Sequence, residues 1–83
     1  MSYSDSEMKL ARFFVEREGA GVLDVLREVD FFDAGIMDSL DLVSLGVHIE
    51  KTFGKKIDLT DADTLAAARH FDSLMALVES SAA

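Results

Sequence analysis

Apolar side chains recur at helical intervals in several stretches of the chain, with glycines or polar runs between them. In "SDSEMKLARFFVEREGAG" the residues Met8, Leu10, Ala11, Phe14 and Val15 follow a period near 3.6, with capping residues and acids ahead of them. A first amphipathic helix is expected here, stopping at Gly19 and Gly21. "VLDVLREVDFFDAG" is mixed. Its Leu23, Leu26 and Val29 suit a short helical turn before Phe31 and Phe32, yet the whole reads as a long ordered loop, pinned by its apolar residues and closed by Gly35. Loops of this length are uncommon and often functional. From Asp38 no breaker intervenes until Phe53, and Gly54 suits the position just past a helix end, so a second helix is expected over 38–53. "KKIDL" is too short and polar for more than a connector, anchored by Ile57 and Leu59. "TDADTLAAARHFDSLMALVES" predicts a short helix near 61–66 and a last amphipathic helix from about 68 to 79. With no strand, repeat or low-complexity tract evident, the expected fold is all-α. It is a four-helix bundle with a long loop between helices one and two and a short third helix, forming one domain over 1–83, ordered over about 4–80.

The second helix carries two apolar groups when its residues are placed at about 100° intervals. Leu42, Leu45, Ile49 and Phe53 share one face and form the expected core stripe, and Gly46 on that side allows a neighbouring segment to approach closely. Leu40, Val43 and Val47 lie on roughly the opposite side among Asp41, Ser44, Glu50 and Lys51. So small a chain has difficulty burying both stripes. Leu40 and Val47 are expected to form an exposed docking surface framed by charges, whereas Val43 is equally compatible with cover from the long loop.

Composition narrows the function classes. The 83 residues carry eight basic and sixteen acidic side chains, a net charge of −8 that disfavours nucleic acid and anionic membrane. No apolar run approaches the roughly 20 residues needed to span a bilayer. The polar opening "MSYSDSE" does not read as a signal peptide, so a cytoplasmic location is expected. Without cysteine there is no disulfide framework, thiolate metal site or thiol nucleophile, and only His48 and His70 titrate near neutrality. His48 falls near Asp41 and Ser44 in projection, but helical spacing without a strained nucleophile turn or oxyanion hole does not make a triad. Asp58, Asp61 and Asp63 lack the spacing of a calcium loop and suit capping of the third helix. His70 and the Lys55-Lys56 pair read as solvated or loop-contacting surface, the six phenylalanines as core anchors, and Tyr3 as part of a fraying end. No catalytic residue and no metal site are expected.

Asp-Ser-Leu occurs twice, at 38–40 and at 72–74. The second copy is embedded in the apolar register of Phe71, Leu74, Met75, Leu77 and Val78, which leaves Asp72 and Ser73 facing solvent. The first follows a glycine-containing loop at a helix start, where unpaired backbone N–H groups and the positive dipole end favour an anion. A phosphate esterified to Ser39 is well accommodated there; helix capping by Asp38 or Ser39 is the simpler use of the same residues.

The stretch "FFDAGIMDSLDLVSLGVHIEKTFGKKIDL" resembles the attachment loop and second helix of the acyl carrier and peptidyl carrier protein family, and the order of elements extends the resemblance over nearly the whole chain. It implies a four-helix carrier whose Ser39 receives 4′-phosphopantetheine from coenzyme A through a phosphopantetheinyl transferase. The prosthetic arm then supplies the thiol that the polypeptide lacks. By the same resemblance, Asp38 matches the acidic residue that helps organise the transfer reaction and its magnesium. Leu40, Asp41, Val43 and Val47 match positions that meet partner enzymes. The implied partners are the transferase, an acyl- or aminoacyl-adenylating ligase, and downstream acyl-transferring or condensing enzymes, with the carrier itself non-catalytic and monomeric. Ser44, His48 and Lys51 stand where fatty-acid carriers place acids, and Ile36 and Met37 give a two-residue spacing before Asp38 similar to D-alanyl carrier proteins. These departures point to a specialised acyl or aminoacyl cargo. The competing readings are a general carrier of fatty-acid synthesis and a helical protein-binding module without the prosthetic group.

Overall fold

Ser4 opens α1 (Asp5–Glu18) with a reciprocal cap: its hydroxyl accepts from the Glu7 N–H at 3.1 Å, and the Glu7 carboxylate accepts from the Ser4 N–H at 2.8 Å. The computed structural model describes residues 3–80, so positions 1–2 and 81–83 of the expected domain lie outside the described residues. Gly19 ends α1 at φ 89°, its N–H donating to the Val15 carbonyl. A 3-10 helix, Ala20–Asp24, follows at once. It corrects the expected pattern, since the helical turn comes before Leu26 and Val29 and contains Gly21. Val22 and Leu26 are buried, so the turn folds the chain back onto α1 through its apolar side.

The remaining helices are α2 (Asp41–Phe53), α3 (Ala62–Ala67) and α4 (Phe71–Ser80). The described chain is therefore all-α, with four α-helices, a long first connection and a short α3. Asp61 caps α3 by accepting from the Thr64 N–H, and Gly54 closes α2 in the left-handed region at φ 70°. α2 starts three residues later than the breaker-free run, because residues 38–41 close as a tight turn. α4 likewise begins at Phe71 and not near 68. The intervening Arg69 carbonyl leaves any helical ladder to accept the Phe31 N–H at 2.8 Å.

Phe14, Phe31 and Phe71 are completely buried, together with Leu10, Leu26, Leu45, Ile49 and Leu74. Burial of such side chains contributes about 1.5–3 kcal/mol each, the main favourable term in so small a chain. Leu45 and Ile49 supply the core stripe of α2, with Leu42 and Phe53 half-buried beside them. Leu59 is buried from the connector and would lie 3.7 Å from a Cβ at Gly46, so the connector packs closely along α2. Leu40, Val43 and Val47 are 81%, 71% and 48% exposed. The loop does not cover Val43; it turns inward on Phe31, Ile36 and Met37 instead.

Several residues expected at the surface hold the bundle together. Tyr3 packs edge-on against Phe71 with ring centroids 5.5 Å apart and donates its hydroxyl to the Leu23 carbonyl at 2.7 Å. Lys55 reaches the C-terminal end of α4, donating to the carbonyls of Val78 at 2.7 Å and Glu79 at 3.3 Å. This satisfies orphan carbonyls and places a cation at the negative dipole end. Asp72 pairs with Arg27, which also holds Glu7.

Candidate functional site

The site is organised around Phe31. Its ring stacks on Phe14 of α1 at 4.5 Å between centroids, its N–H donates to Arg69, and its carbonyl accepts from the N–H groups of Ile36 and Met37 at 2.9 and 3.1 Å. Ile36 and Met37 are themselves buried. The two residues noticed in sequence only as spacing are thus the anchors that bring the chain out of the core immediately ahead of Asp38. Gly35, at φ 73°, makes the reversal that allows both to point inward.

Asp30 stiffens the start of this loop. One carboxylate oxygen accepts from the N–H groups of Phe32 and Asp33 at 2.9 and 3.1 Å, and the other accepts from Arg69 Nε at 2.7 Å. The Arg69 hydrogen bond, supported by the two backbone donors, lowers the Asp30 pKa to about 2. Arg69 also lies over the Phe32 ring at 5.1 Å.

Asp38, Ser39 and Leu40 are all exposed and form the turn that enters α2. Asp38 Oδ1 accepts from the Leu40 and Asp41 N–H groups at 3.0 and 3.1 Å, and Asp41 Oδ2 accepts from the Asp38 N–H at 2.9 Å. This is a capping box built from two aspartates, in which Ser39 occupies the first position inside the cap. The Ser39 hydroxyl makes no hydrogen bond among the described residues. Arg17 of α1 grips the remaining oxygen of Asp41, whose side chain is only 15% exposed.

A groove of about 270 Å³ begins at Ser39 and runs between α2 and the connector, lined by Leu42, Val43, Gly46, Ile57 and Leu59 with Asp58 and Thr60 at its rim. Val43, Gly46 and Ile57 also border a neighbouring depression of about 360 Å³, which extends along α2 to Val47, Glu50 and Lys56. The exposed stripe flanks these hollows, so the serine, the groove and the apolar face share one side of the molecule. From sequence Asp58 suited only capping of the third helix and Thr60 carried no signal, because the connector meets α2 only in the fold. The Asp38-x-x-Asp41 spacing was legible as a capping signal, whereas nothing local marks Arg17 or Arg69.

Other candidates are placed elsewhere. His48 Nε2 lies 2.8 Å from the Lys9 carbonyl and its ring 5.6 Å from that of Phe13, so it joins α2 to α1 and faces no nucleophile. Asp58 bonds Thr60, whose hydroxyl holds its pKa below the usual carboxylate range. Ser73 is half-buried and does not face solvent as the register suggested. Its hydroxyl donates to the Ala67 and His70 carbonyls, bracing the turn between α3 and α4. His70 is exposed, 4.0 Å from Asp30.

Ser39 thus lies exposed on a capped turn, beside an open groove and an uncovered apolar helix face. Residues 9–69 match the model of the phosphopantetheine attachment site family, and the chain belongs to that family. Searches of curated proteins and of solved structures returned no match. The chain is therefore a carrier domain of the acyl and peptidyl carrier type, a class that bears covalent 4′-phosphopantetheine. Such carriers generally act without catalysing bond changes themselves, and generally meet phosphopantetheinyl transferases and biosynthetic enzymes. Among the described residues, no helix is long and apolar enough to cross a membrane.

Proposed function

We propose that Ser39 is the attachment residue and that this chain, a single domain, carries an amino acid or another specialised acid as a thioester. The observation that carries the reading is the Ser39 hydroxyl: exposed, unpartnered, and held on a capped turn at the mouth of a groove. In the transfer, Ser39 Oγ forms an ester bond to the phosphate of the phosphopantetheine half of coenzyme A. The phosphoanhydride bond to the adenosine bisphosphate half breaks, and the hydroxyl proton leaves to a base of the transferase. When bound, the prosthetic group supplies the thiol on which cargo is held.

Within this chain, Asp38 caps the turn with Oδ1 and leaves Oδ2 without a partner among the described residues, available to the magnesium of the transferase complex. Leu40, Val43 and Val47 offer the enzymes an apolar strip, and the adjoining groove shelters part of the arm or its cargo. Glu50 is countered by Lys56, and Lys51 is exposed, so the face is less acidic than a net charge of −8 suggests. That balance supports a dedicated adenylating ligase and a specialised cytoplasmic pathway over general fatty-acid synthesis.

Intact-mass measurement tests the reading. The apo chain is incubated with coenzyme A and a broad-specificity transferase. A gain of one phosphopantetheine that is lost in Ser39→Ala and kept in Ser73→Ala is expected. No gain with several transferases would overturn the function, and a gain that follows Ser73 would overturn the site.

A further inference from the structure

The turn that presents Ser39 is held by a carboxylate at each end, and one of them is tied to a different helix. Asp38 Oδ1 binds the N–H groups of Leu40 and Asp41, and Asp41 Oδ2 binds the N–H of Asp38. Two anionic groups therefore face each other across a single turn, where like charges destabilise one another. Arg17, in the last turn of α1, supplies the compensating cation: its Nη2 donates to Asp41 Oδ1, while its guanidinium lies 5.4 Å from the Phe13 ring. Both Asp41 oxygens are thus occupied within the chain, and the side chain is 15% exposed.

This arrangement gives Asp41 a structural part within the chain, distinct from the enzyme contact that resemblance assigned to it. We infer that Arg17 is a positioning residue for the modification of Ser39, acting through Asp41 to hold the serine turn in the conformation a transferase binds. The inference rests on Ser39 as the attachment site. Its physical content is population: a transferase that binds one turn conformation sees an apparent affinity reduced by the fraction of molecules not in it. Once the complex has formed, the enzyme's own contacts hold the turn and the chemical step proceeds unchanged.

The test measures steady-state transfer from coenzyme A by a broad-specificity transferase to the full apo chain. Arg17→Ala is expected to raise the KM for the carrier by about threefold or more while kcat stays within about twofold. Arg17→Lys keeps the charge without the fork and should recover part of the loss. Arg12→Ala removes the same charge from an exposed site on α1 with no contact to Asp41, and should leave KM unchanged. Asp41→Asn should add little on top of Arg17→Ala, because the two act as one unit. Amide exchange at Asp38, Leu40 and Asp41, whose N–H groups the two carboxylates hold, should quicken in Arg17→Ala without any enzyme present.

An unchanged KM in Arg17→Ala, an equal loss in Arg12→Ala, or fully additive effects of Arg17→Ala and Asp41→Asn would each overturn the inference while leaving the attachment reading intact. Failure of the unaltered chain to take up the arm overturns the attachment reading and the inference with it. If Arg17→Ala unfolds, Arg17→Lys decides the matter by its KM and by the same amide exchange measured in it, and no change in either would overturn the inference.

Discussion

Arg69 Nε donates to Asp30 Oδ2 at 2.7 Å across thirty-nine residues of chain, and through this contact the turn between α3 and α4 braces the loop that leads to Ser39. The Asp30 pKa falls to about 2, chiefly because of this hydrogen bond. Its folded value lies below its unfolded one, so the unfolded chain binds the proton more tightly. The stabilisation is complete above the unfolded pKa and is lost as pH falls toward 2. Glu7, held low by the Ser4 N–H and Arg27, and Asp58, held low by Thr60, act with the same sign. Urea unfolding followed by circular dichroism should therefore show a midpoint that drops between about pH 4.5 and pH 2. Asp30→Asn should be less stable at neutral pH and should flatten part of that drop; an equally steep fall would show that the Asp30 contact contributes nothing.

Removing the Phe31 ring should cost a large part of the stability. Phe31 is fully buried against Phe14, and Phe→Ala changes in cores cost about 3–5 kcal/mol, out of about 5–15 kcal/mol for a typical domain. The urea midpoint of Phe31→Ala should fall accordingly. Phe31→Leu should lose less and keep Ile36 and Met37 seated, so that Ser39 modification persists.

The exposed stripe should behave in the opposite way. Leu40→Asp and Val43→Asp place charge at positions already open to solvent, so stability should change by no more than about 0.5 kcal/mol. Transferase kcat/KM should nevertheless fall by about tenfold, because apolar anchors at the centre of a contact carry most of its energy. Equal losses in stability and transfer would mean that these side chains pack in the fold.

Ser73→Ala removes a hydroxyl that bonds two carbonyls in the turn before α4. It should cost about 0.5–1.5 kcal/mol in thermal or urea unfolding. The rate of arm transfer should not change. A reduced rate at full stability would implicate the second Asp-Ser-Leu in recognition.

The number and order of helices were legible because amphipathic periodicity, capping residues and helix-ending glycines are local signals. Their exact starts were not. α2 begins at Asp41 because the Asp41 N–H closes a tight turn on the Asp38 carbonyl, and α4 begins at Phe71 because the Arg69 carbonyl is claimed by Phe31. Both shifts come from competition for backbone hydrogen bonds, which apolar periodicity does not register. The stripe of Leu40, Val43 and Val47 could be drawn from the sequence, but whether the long loop would cover Val43 depended on where Ile36 and Met37 went.

The sequence by itself determined the all-α class, the second apolar stripe and the candidate serine at the head of a helix, since each depends on residues within a turn or two of one another. Only the tertiary structure decided which Asp-Ser-Leu stands free. It tied the Ser73 hydroxyl of α4 back to the preceding turn, left the Ser39 hydroxyl open beside a groove, and joined Arg17 to Asp41 and Arg69 to Asp30. Those pairings span 24 and 39 residues of chain, and they exist because burial of the phenylalanines brings distant segments within hydrogen-bonding reach.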